Sequence, residues 1–257
     1  MRKTILSLII LCWIWKASAQ EDPAKKDTWQ FSLSSGVSTP LGSFARHDAA
    51  DAMIFGSPPD TYTIIGINKL KDGFARTGYY YGLTIDYSTQ SGVLFQLKGG
   101  QNINSQRTAE VEDYIRNYYS ITTSFQFDAD QYKVGYLLPG IGYGFSLKKW
   151  QIETVISGGM AQSSYPSFTT NTYVVNSSWQ PEKPWPNLKA FAWGYSLDIC
   201  RSLGKHVFTR VNISYLQADF KYNMTTELSP IGISNPQYQD TIKWKVLQTG
   251  LSLGYRW

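Results

Sequence analysis

Side chains alternate with a period of two along eight segments of this chain, the first beginning at Trp29 and the last running to Trp257. Every second residue in these segments is large and apolar, and the residues between are mostly glycine, serine, threonine or another polar type. The segment Phe191–Cys200 is the cleanest example. A period of two is typical of β-strands with two different faces, and helical spacing is not evident beyond residue 28. The sequence therefore predicts an all-β fold.

The connections between these segments alternate in length. The tight ones are 88–92, 147–149 and 201–205, and the long ones are 38–77, 101–132, 162–189 and 221–241. Alternation of short and long connections is not expected for a soluble β-sandwich. An outer-membrane barrel, in contrast, has short periplasmic turns and long extracellular loops. Only a closed sheet satisfies its backbone hydrogen bonds in lipid. We therefore expect a transmembrane, antiparallel, up-and-down β-barrel of eight strands in the outer membrane of a Gram-negative cell.

One segment does not fit this scheme. Tyr118–Phe127 has the composition of a strand but lies inside a long loop. It either extends a hairpin above the membrane or belongs to a ten-stranded barrel, with Thr170–Val175 as its partner. Eight strands is the expectation and ten is the alternative.

The N-terminus has the three parts of a secretory signal peptide. A basic start, Met1–Lys3, precedes a short apolar stretch, Ile5–Trp15, and a small-x-small cleavage site, Ala17–Ala19. We expect residues 1–19 to be removed, residues 20–28 to form a flexible periplasmic leader and residues 29–257 to form the barrel domain. Removal of the signal peptide lowers the net charge from +5 to about +2, which leaves little support for nucleic-acid binding.

Six charged residues lie on the polar face, which is the inside of a barrel: Asp86, Lys98, Glu153, Asp198, Arg210 and Arg256. The interior of an eight-stranded barrel is just wide enough to be filled by side chains. Because buried charges need partners, these three acids and three bases predict a sealed, ion-paired lumen. Asp198 and Arg210 flank one hairpin and are expected to meet diagonally. A gated pore or a proton path is the alternative.

Catalytic chemistry has few candidates, because the chain contains only two histidines. His206 lies at a predicted periplasmic turn. His47 lies in the first outer loop near Ser43, Asp48 and Asp51, and a histidine oriented by a carboxylate can act as a general base. A loop histidine beside aspartates is more often simply solvated, so we expect no enzyme activity. No metal-binding spacing is present, and we expect neither a metal nor a cofactor.

The long loops are the best candidates for a binding role. The third loop places aromatic residues among prolines, the main candidates being Tyr165, Tyr173, Trp179 and Trp185. Aromatic side chains are enriched at protein interfaces, but they also pack between loops and form the upper aromatic girdle of a barrel. Both interpretations stay open. In the first loop, Asp51–Leu70 mixes prolines with apolar residues and is expected to fold over the barrel mouth.

The end of the sequence carries the most specific pattern. Apolar residues with a period of two lead to a terminal aromatic residue: Leu251, Leu253, Tyr255 and Trp257. This pattern resembles the terminal-strand signal that is read by the barrel insertion machinery. The stretch Leu138–Phe145, followed by Lys148–Trp150, is similar to the central hairpin of small Bacteroidetes-type outer-membrane barrels. That family includes barrels resembling the transmembrane domain of outer-membrane protein A and the PorT-type barrels of a secretion system.

This resemblance implies a location and a fold but no particular activity, because one fold hosts many functions. We expect a non-catalytic barrel that either binds a protein or glycan partner through its surface loops or serves as a small subunit of an outer-membrane assembly. Its other expected contacts are outer-membrane lipid and, during assembly, the insertion machinery. A narrow channel for small solutes is one alternative. A lipid-modifying enzyme centred on His47 is the second.

Overall fold

The computed structural model describes residues 27–55, 64–121, 125–147, 150–166, 168–170, 187–225 and 237–257. The predicted signal peptide and most of the predicted leader lie outside these residues. At the end of the leader, Thr28 already belongs to the first strand.

Eight long strands form one closed barrel, and their bounds are Thr28–Pro40 (β1), Gly78–Ser88 (β4), Val93–Asn104 (β5), Tyr132–Leu147 (β7), Trp150–Ser164 (β8), Asn187–Ser202 (β10), Val207–Thr225 (β11) and Gln237–Arg256 (β12). Around the barrel the strands follow the order β1-β12-β11-β10-β8-β7-β5-β4. All neighbours are antiparallel, and β1 pairs with both β4 and β12, which closes the sheet. Closure removes the unpaired strand edges that lipid could not satisfy. The prediction of eight strands is confirmed, and the ten-stranded alternative is wrong.

The two faces of each strand differ as the alternation predicts. On the outer face, Phe191, Ile156 and Leu251 are 71%, 65% and 63% exposed. On the inner face, serine, glutamine, asparagine and charged side chains are buried, among them Gln30 and Gln248. A barrel with an apolar outside and a polar inside is suited to lipid rather than to water. The protein is an outer-membrane β-barrel, as expected.

Strand closure depends on close backbone approach where β1 meets β12. Gly36 pairs with Gly250 in the ladder. A Cβ atom at Gly36 would lie 2.2 Å from the carbonyl oxygen of Thr249 and 2.5 Å from the Cα atom of Gly250. The absence of a side chain therefore allows the first and last strands to pack at their normal spacing.

The lengths of the connections follow the predicted order. The β4–β5 turn ends at Gly92, whose φ of +87° lies in the left-handed region that glycine tolerates. The β7–β8 and β10–β11 connections are also short, at the same end of the barrel. The connections at the other end are long, and the described parts of the first three contain their own structure. They hold a 3₁₀ helix at Gly42–Phe44 and α1 at Ala49–Ala52, then β2 at Met53–Phe55, β3 at Ile64–Ile67, α2 at Ala109–Tyr118, β6 at Phe127–Ala129 and β9 at Phe168–Thr170.

The segment that did not fit the strand scheme contributes its first residue to a helix and its last residue to a short strand. Tyr118 is the last residue of α2, so the expectation that helical spacing is absent is wrong here. Val111 and Ile115 lie one turn apart on the buried face of this helix. Residues 122–124 lie outside the described residues. Phe127 begins β6, which pairs with β9 above the barrel. The strand that pairs with β6 therefore begins at Phe168 rather than at Thr170. Of the two predicted alternatives, a hairpin above the membrane agrees better with this arrangement than a ten-stranded barrel.

The outer loops form an apolar core at the mouth of the barrel. We call the described loop segments 41–55, 64–77, 105–121, 125–131 and 165–170 the outer cap. Its core includes Phe44, Phe74 and Val111, which join inward-facing strand residues such as Trp244 and Phe220. The expectation that the first loop folds over the mouth is confirmed for its described residues. Neither of the described α-helices is long and apolar enough to cross a membrane.

Candidate functional site

A buried ion cluster occupies the periplasmic half of the lumen, and we call it the lumen ion cluster. Arg210 of β11 lies 2.7 Å from Asp86, 3.0 Å from Glu153 and 3.8 Å from Asp198, measured between guanidinium nitrogens and carboxylate oxygens. The Arg210 side chain is only 1% exposed. The four residues come from four different strands. They meet because each falls on the inward phase of its strand and lies near the periplasmic end.

Neutral groups satisfy the remaining polar atoms of this cluster. Gln96 donates to Asp86 at 2.9 Å, and Asn212 donates to Asp198 at 2.9 Å. The Nε of Arg210 lies 3.2 Å from the sulfur of Cys200, which is buried. The lumen at this level is filled by side chains rather than by an open path.

The two other predicted lumen charges differ in position. Lys98 is buried and donates to the hydroxyl of Ser214 at 2.8 Å, close to the lumen ion cluster. Arg256 lies at the periplasmic rim, with its guanidinium 5.1 Å from the centre of the Phe208 ring. Among the residues that the structure describes, Arg256 forms no ion pair, so the cluster contains one arginine and three acids.

A second polar site joins the outer cap to the barrel. Asp240, on the inward face of β12, accepts hydrogen bonds from the backbone N–H groups of Lys69 and Leu70, each at 3.2 Å. It also accepts one from the hydroxyl of Tyr165 at 3.0 Å. One carboxylate therefore connects the first outer loop, the third outer loop and the last strand. Asp240 is not among the predicted lumen charges, although the alternation of β12, extended upward, places this acid inside the barrel.

The Lys69 side chain is enclosed by the same region. Its ammonium donates to Gln106 at 2.7 Å and lies 5.6 Å and 5.5 Å from the ring centres of Phe74 and Tyr132. Burial lowers the pKa of Lys69 to about 7, although the nearby Asp240 carboxylate favours the charged form. The protonation of this loop lysine is thus linked to the closure of the outer cap.

Of the predicted loop aromatics, only Tyr165 lies in the described residues. It is buried, and its ring stacks on that of Tyr222 with centres 4.6 Å apart. For Tyr165 the binding-surface prediction is therefore wrong and the packing alternative holds. Tyr173, Trp179 and Trp185 lie outside the described residues.

The environment of His47 gives little support to general-base chemistry. His47 is exposed, and its Nδ1 lies 3.4 Å from the carbonyl oxygen of Ala45. Asp48 instead caps helix α1 by accepting from the backbone of Ala50 and Asp51. Asp51 pairs with Lys71 at 2.7 Å. In the described part of the chain, no group of three or more His, Cys, Asp or Glu side chains could hold a metal ion.

The predicted terminal-strand residues all face outward. Leu251, Leu253, Tyr255 and Trp257 are exposed on the outer face at the end of the chain. Trp257 also exchanges two backbone hydrogen bonds with Trp29, at 3.3 and 3.1 Å. These residues are placed to contact lipid at the closing seam of the barrel.

Comparison with known proteins gives similarity of fold at low sequence identity. No protein-family model matches the chain, and no curated protein sequence matches it. The outer membrane protein OprG from Pseudomonas aeruginosa is 10% identical, with 91% of this chain and 97% of that one covered and a TM-score of 0.49. A major outer membrane protein from Thermus thermophilus is 11% identical, with 89% and 99% covered and a TM-score of 0.44. Ail, the attachment invasion locus protein of Yersinia pestis, is 9% identical, with 91% and 100% covered and a TM-score of 0.41.

Proposed function

We propose that this protein is a non-catalytic outer-membrane barrel that acts through its outer cap. The cap either binds a protein or glycan partner directly or forms the exposed face of a small subunit in an envelope or secretion assembly. The resemblance to PorT-type barrels in the sequence favours the second form.

The observation that carries this proposal is the apolar core shared by the loops and the barrel mouth. Ordering a loop costs conformational entropy of about 1–2 kcal/mol per residue. Here the cost is offset by buried rings such as Phe44 and Tyr132, whose centres lie 4.9 Å apart, and by the hydrogen bonds of Asp240. An ordered extracellular platform of this kind suits recognition, because a rigid surface loses less entropy on binding.

Two features argue against the other functions. The lumen ion cluster places four charged side chains across a narrow interior, which favours a closed barrel over a channel. The carboxylates near His47 are engaged with a helix N-terminus and with Lys71, which disfavours a histidine–carboxylate catalytic pair.

The test compares two aspartates at similar height on neighbouring strands. Asp240→Ala removes the hydrogen bonds that the cap donates to the Asp240 carboxylate. Asp219→Ala changes an exposed, outward-facing residue of β11. The wild type and each variant would be extracted from native outer membranes in mild detergent and purified by affinity. The proteins or glycans that accompany each barrel would then be quantified by mass spectrometry.

A stoichiometric partner is expected with the wild type and with Asp219→Ala, and at least a tenfold loss is expected with Asp240→Ala. Retention of the partner by Asp240→Ala would show that the cap is not the binding surface. A wild-type barrel that conducts steadily in planar bilayers would overturn the closed-lumen part of the proposal. Isolation of the barrel without any partner would contradict the assembly form.

A further inference from the structure

A groove of about 610 Å³ lies on the outer wall of the barrel, at the extracellular end of β5, β7, β8 and β10. Gly135 lies in the floor of the groove, and the absence of a side chain there leaves space for a ligand. Gln101, Gly135, Gln162 and Lys189 lie directly opposite one another across the four strands. Lys133 lies two residues above Gly135 on the same outward face. The groove therefore combines two lysines with amide side chains.

The groove lies immediately above the apolar belt. Leu137, Met160 and Phe191 form the next row below it, since each pairs with its neighbour across the strands, and all three are more than half exposed. Each is roughly ten residues from its tight turn. At about 3.3 Å per residue and a tilt of about 40°, this row lies about 25 Å above the periplasmic end, which is the height of the apolar band. The lysines are therefore at the level of the outer-leaflet headgroups.

Both lysines are exposed, and in the described residues neither forms an ion pair with an acid. Lys133 and Lys189 are two strand spacings apart across the sheet and two residues apart along it, which separates their Cα atoms by about 12 Å. Two flexible lysine side chains can therefore converge on one phosphate. Below them lies an apolar wall suited to acyl chains, and beside them lie amides suited to a sugar or a phosphate ester. Cations next to a membrane surface attract anionic headgroups.

We propose that this groove binds a phosphate-bearing lipid of the outer leaflet. Lys133 and Lys189 bind the phosphate, and the row formed by Leu137, Met160 and Phe191 contacts the acyl chains. The occupant is a lipid rather than a free anion, because the lysine pair continues directly into the apolar belt. The inference is independent of any partner bound by the outer cap.

The neighbouring wall, formed by β11 and β12, provides a matched comparison. Lys221, Lys243 and Lys245 also face outward near the extracellular end of β11 and β12. They lie beside Asp219, which is opposite Lys243 in the ladder, and they do not line the groove. General attraction to an anionic surface would involve the lysines of both walls equally. Specific binding in the groove depends on Lys133 and Lys189.

The first experiment measures binding of lipid A that carries one phosphate to the purified full-length mature barrel by native mass spectrometry in detergent. Compared with the wild type, Lys133→Gln/Lys189→Gln is expected to lose about 10- to 30-fold in affinity. Lys243→Gln/Lys245→Gln on β12, two strands away from the groove strand β10, is expected to lose less than about threefold, and so is Lys205→Gln at the periplasmic rim. Equal losses for the two double variants would overturn the groove as a specific site.

The second experiment tests the shape and the ligand chemistry. Gly135→Leu fills the groove without backbone conflict, because a Cβ there meets only the Gln162 carbonyl oxygen at 4.0 Å. We expect it to abolish the bound lipid while heat-modifiable migration on gels shows a folded barrel. Gly204→Leu in the periplasmic turn is the control, since nothing lies within 4 Å of its Cβ position. Unchanged binding by Gly135→Leu, equal binding of dephosphorylated lipid A, or displacement by an equal concentration of inorganic phosphate would each overturn the proposal.

Discussion

Replacing Arg210 by methionine removes the one cation that, among the residues the structure describes, pairs with the three acids of the lumen ion cluster. Asp86, Glu153 and Asp198 are all buried, with contacts of 2.7, 3.0 and 3.8 Å to the guanidinium. Methionine retains much of the apolar volume of the arginine stem, so the change acts mainly on charge rather than on packing.

The expected loss in the free energy of unfolding depends on the carboxylates that stay buried after Arg210 is replaced. At an effective dielectric constant of about 20, two opposite charges 4 Å apart attract by about 4 kcal/mol, so three such contacts supply about 12 kcal/mol before desolvation. Most of that energy offsets the loss of hydration of the four groups. Leaving buried carboxylates without their partner costs about 3–5 kcal/mol, and we expect Arg210→Met to lower the free energy of unfolding by that amount.

The assay is equilibrium unfolding by guanidinium in lipid vesicles, followed by tryptophan fluorescence. Arg201→Met is the matched control, because Arg201 is an exposed arginine at the periplasmic rim, and we expect a loss below about 1 kcal/mol. The triple variant Arg210→Met/Asp86→Asn/Glu153→Gln removes the arginine together with its two closest carboxylates. It should recover most of the lost stability, because the remaining carboxylate, Asp198, keeps its hydrogen bond from Asn212. Arg210→Met with wild-type stability, or a triple variant less stable than the single one, would refute the reasoning.

Three further predictions concern other parts of the barrel. Gly36→Val should prevent closure of β1 on β12 and abolish heat-modifiable migration, whereas the outward-facing Ser35→Val should not; normal closure of Gly36→Val would contradict the steric account. Deletion of Trp257 should reduce membrane assembly in cells, measured as the membrane-inserted fraction, and normal insertion would count against the terminal-strand prediction. Burial lowers the pKa of Lys69 from 10.5 to about 7, so the opened cap binds more protons than the closed cap between about pH 7 and 10.5. Cap closure should therefore strengthen by up to about 1.4 kcal/mol per pH unit as the pH rises through this range. Hydrogen exchange of the cap, corrected for intrinsic rates, should show this trend in the wild type, and a persisting trend in Lys69→Met would exclude Lys69 as its source.

Local sequence was enough to predict which residues face lipid and which face the lumen. The period of two is set within each strand, so Phe191 or Glu153 has a defined face whatever its neighbours are. The alternating loop lengths then required an up-and-down barrel, and the inward phase of Asp86, Glu153, Asp198 and Arg210 followed from the same rule.

The meeting of Asp198 and Arg210 across one hairpin was expected from the sequence and is present at 3.8 Å. The contacts across the lumen were decided only by the tertiary structure. Arg210 meets Asp86 across the lumen because the closed register brings β4 and β11 to one level, and no local pattern specifies that register. Helix α2 forms in a long connection where no helical spacing was predicted, because the apolar core of the outer cap buries Val111 and Ile115, and most helical stability comes from tertiary packing. Asp240 joins residues that are far apart in sequence, so its role emerges only when the loops pack onto the closed barrel.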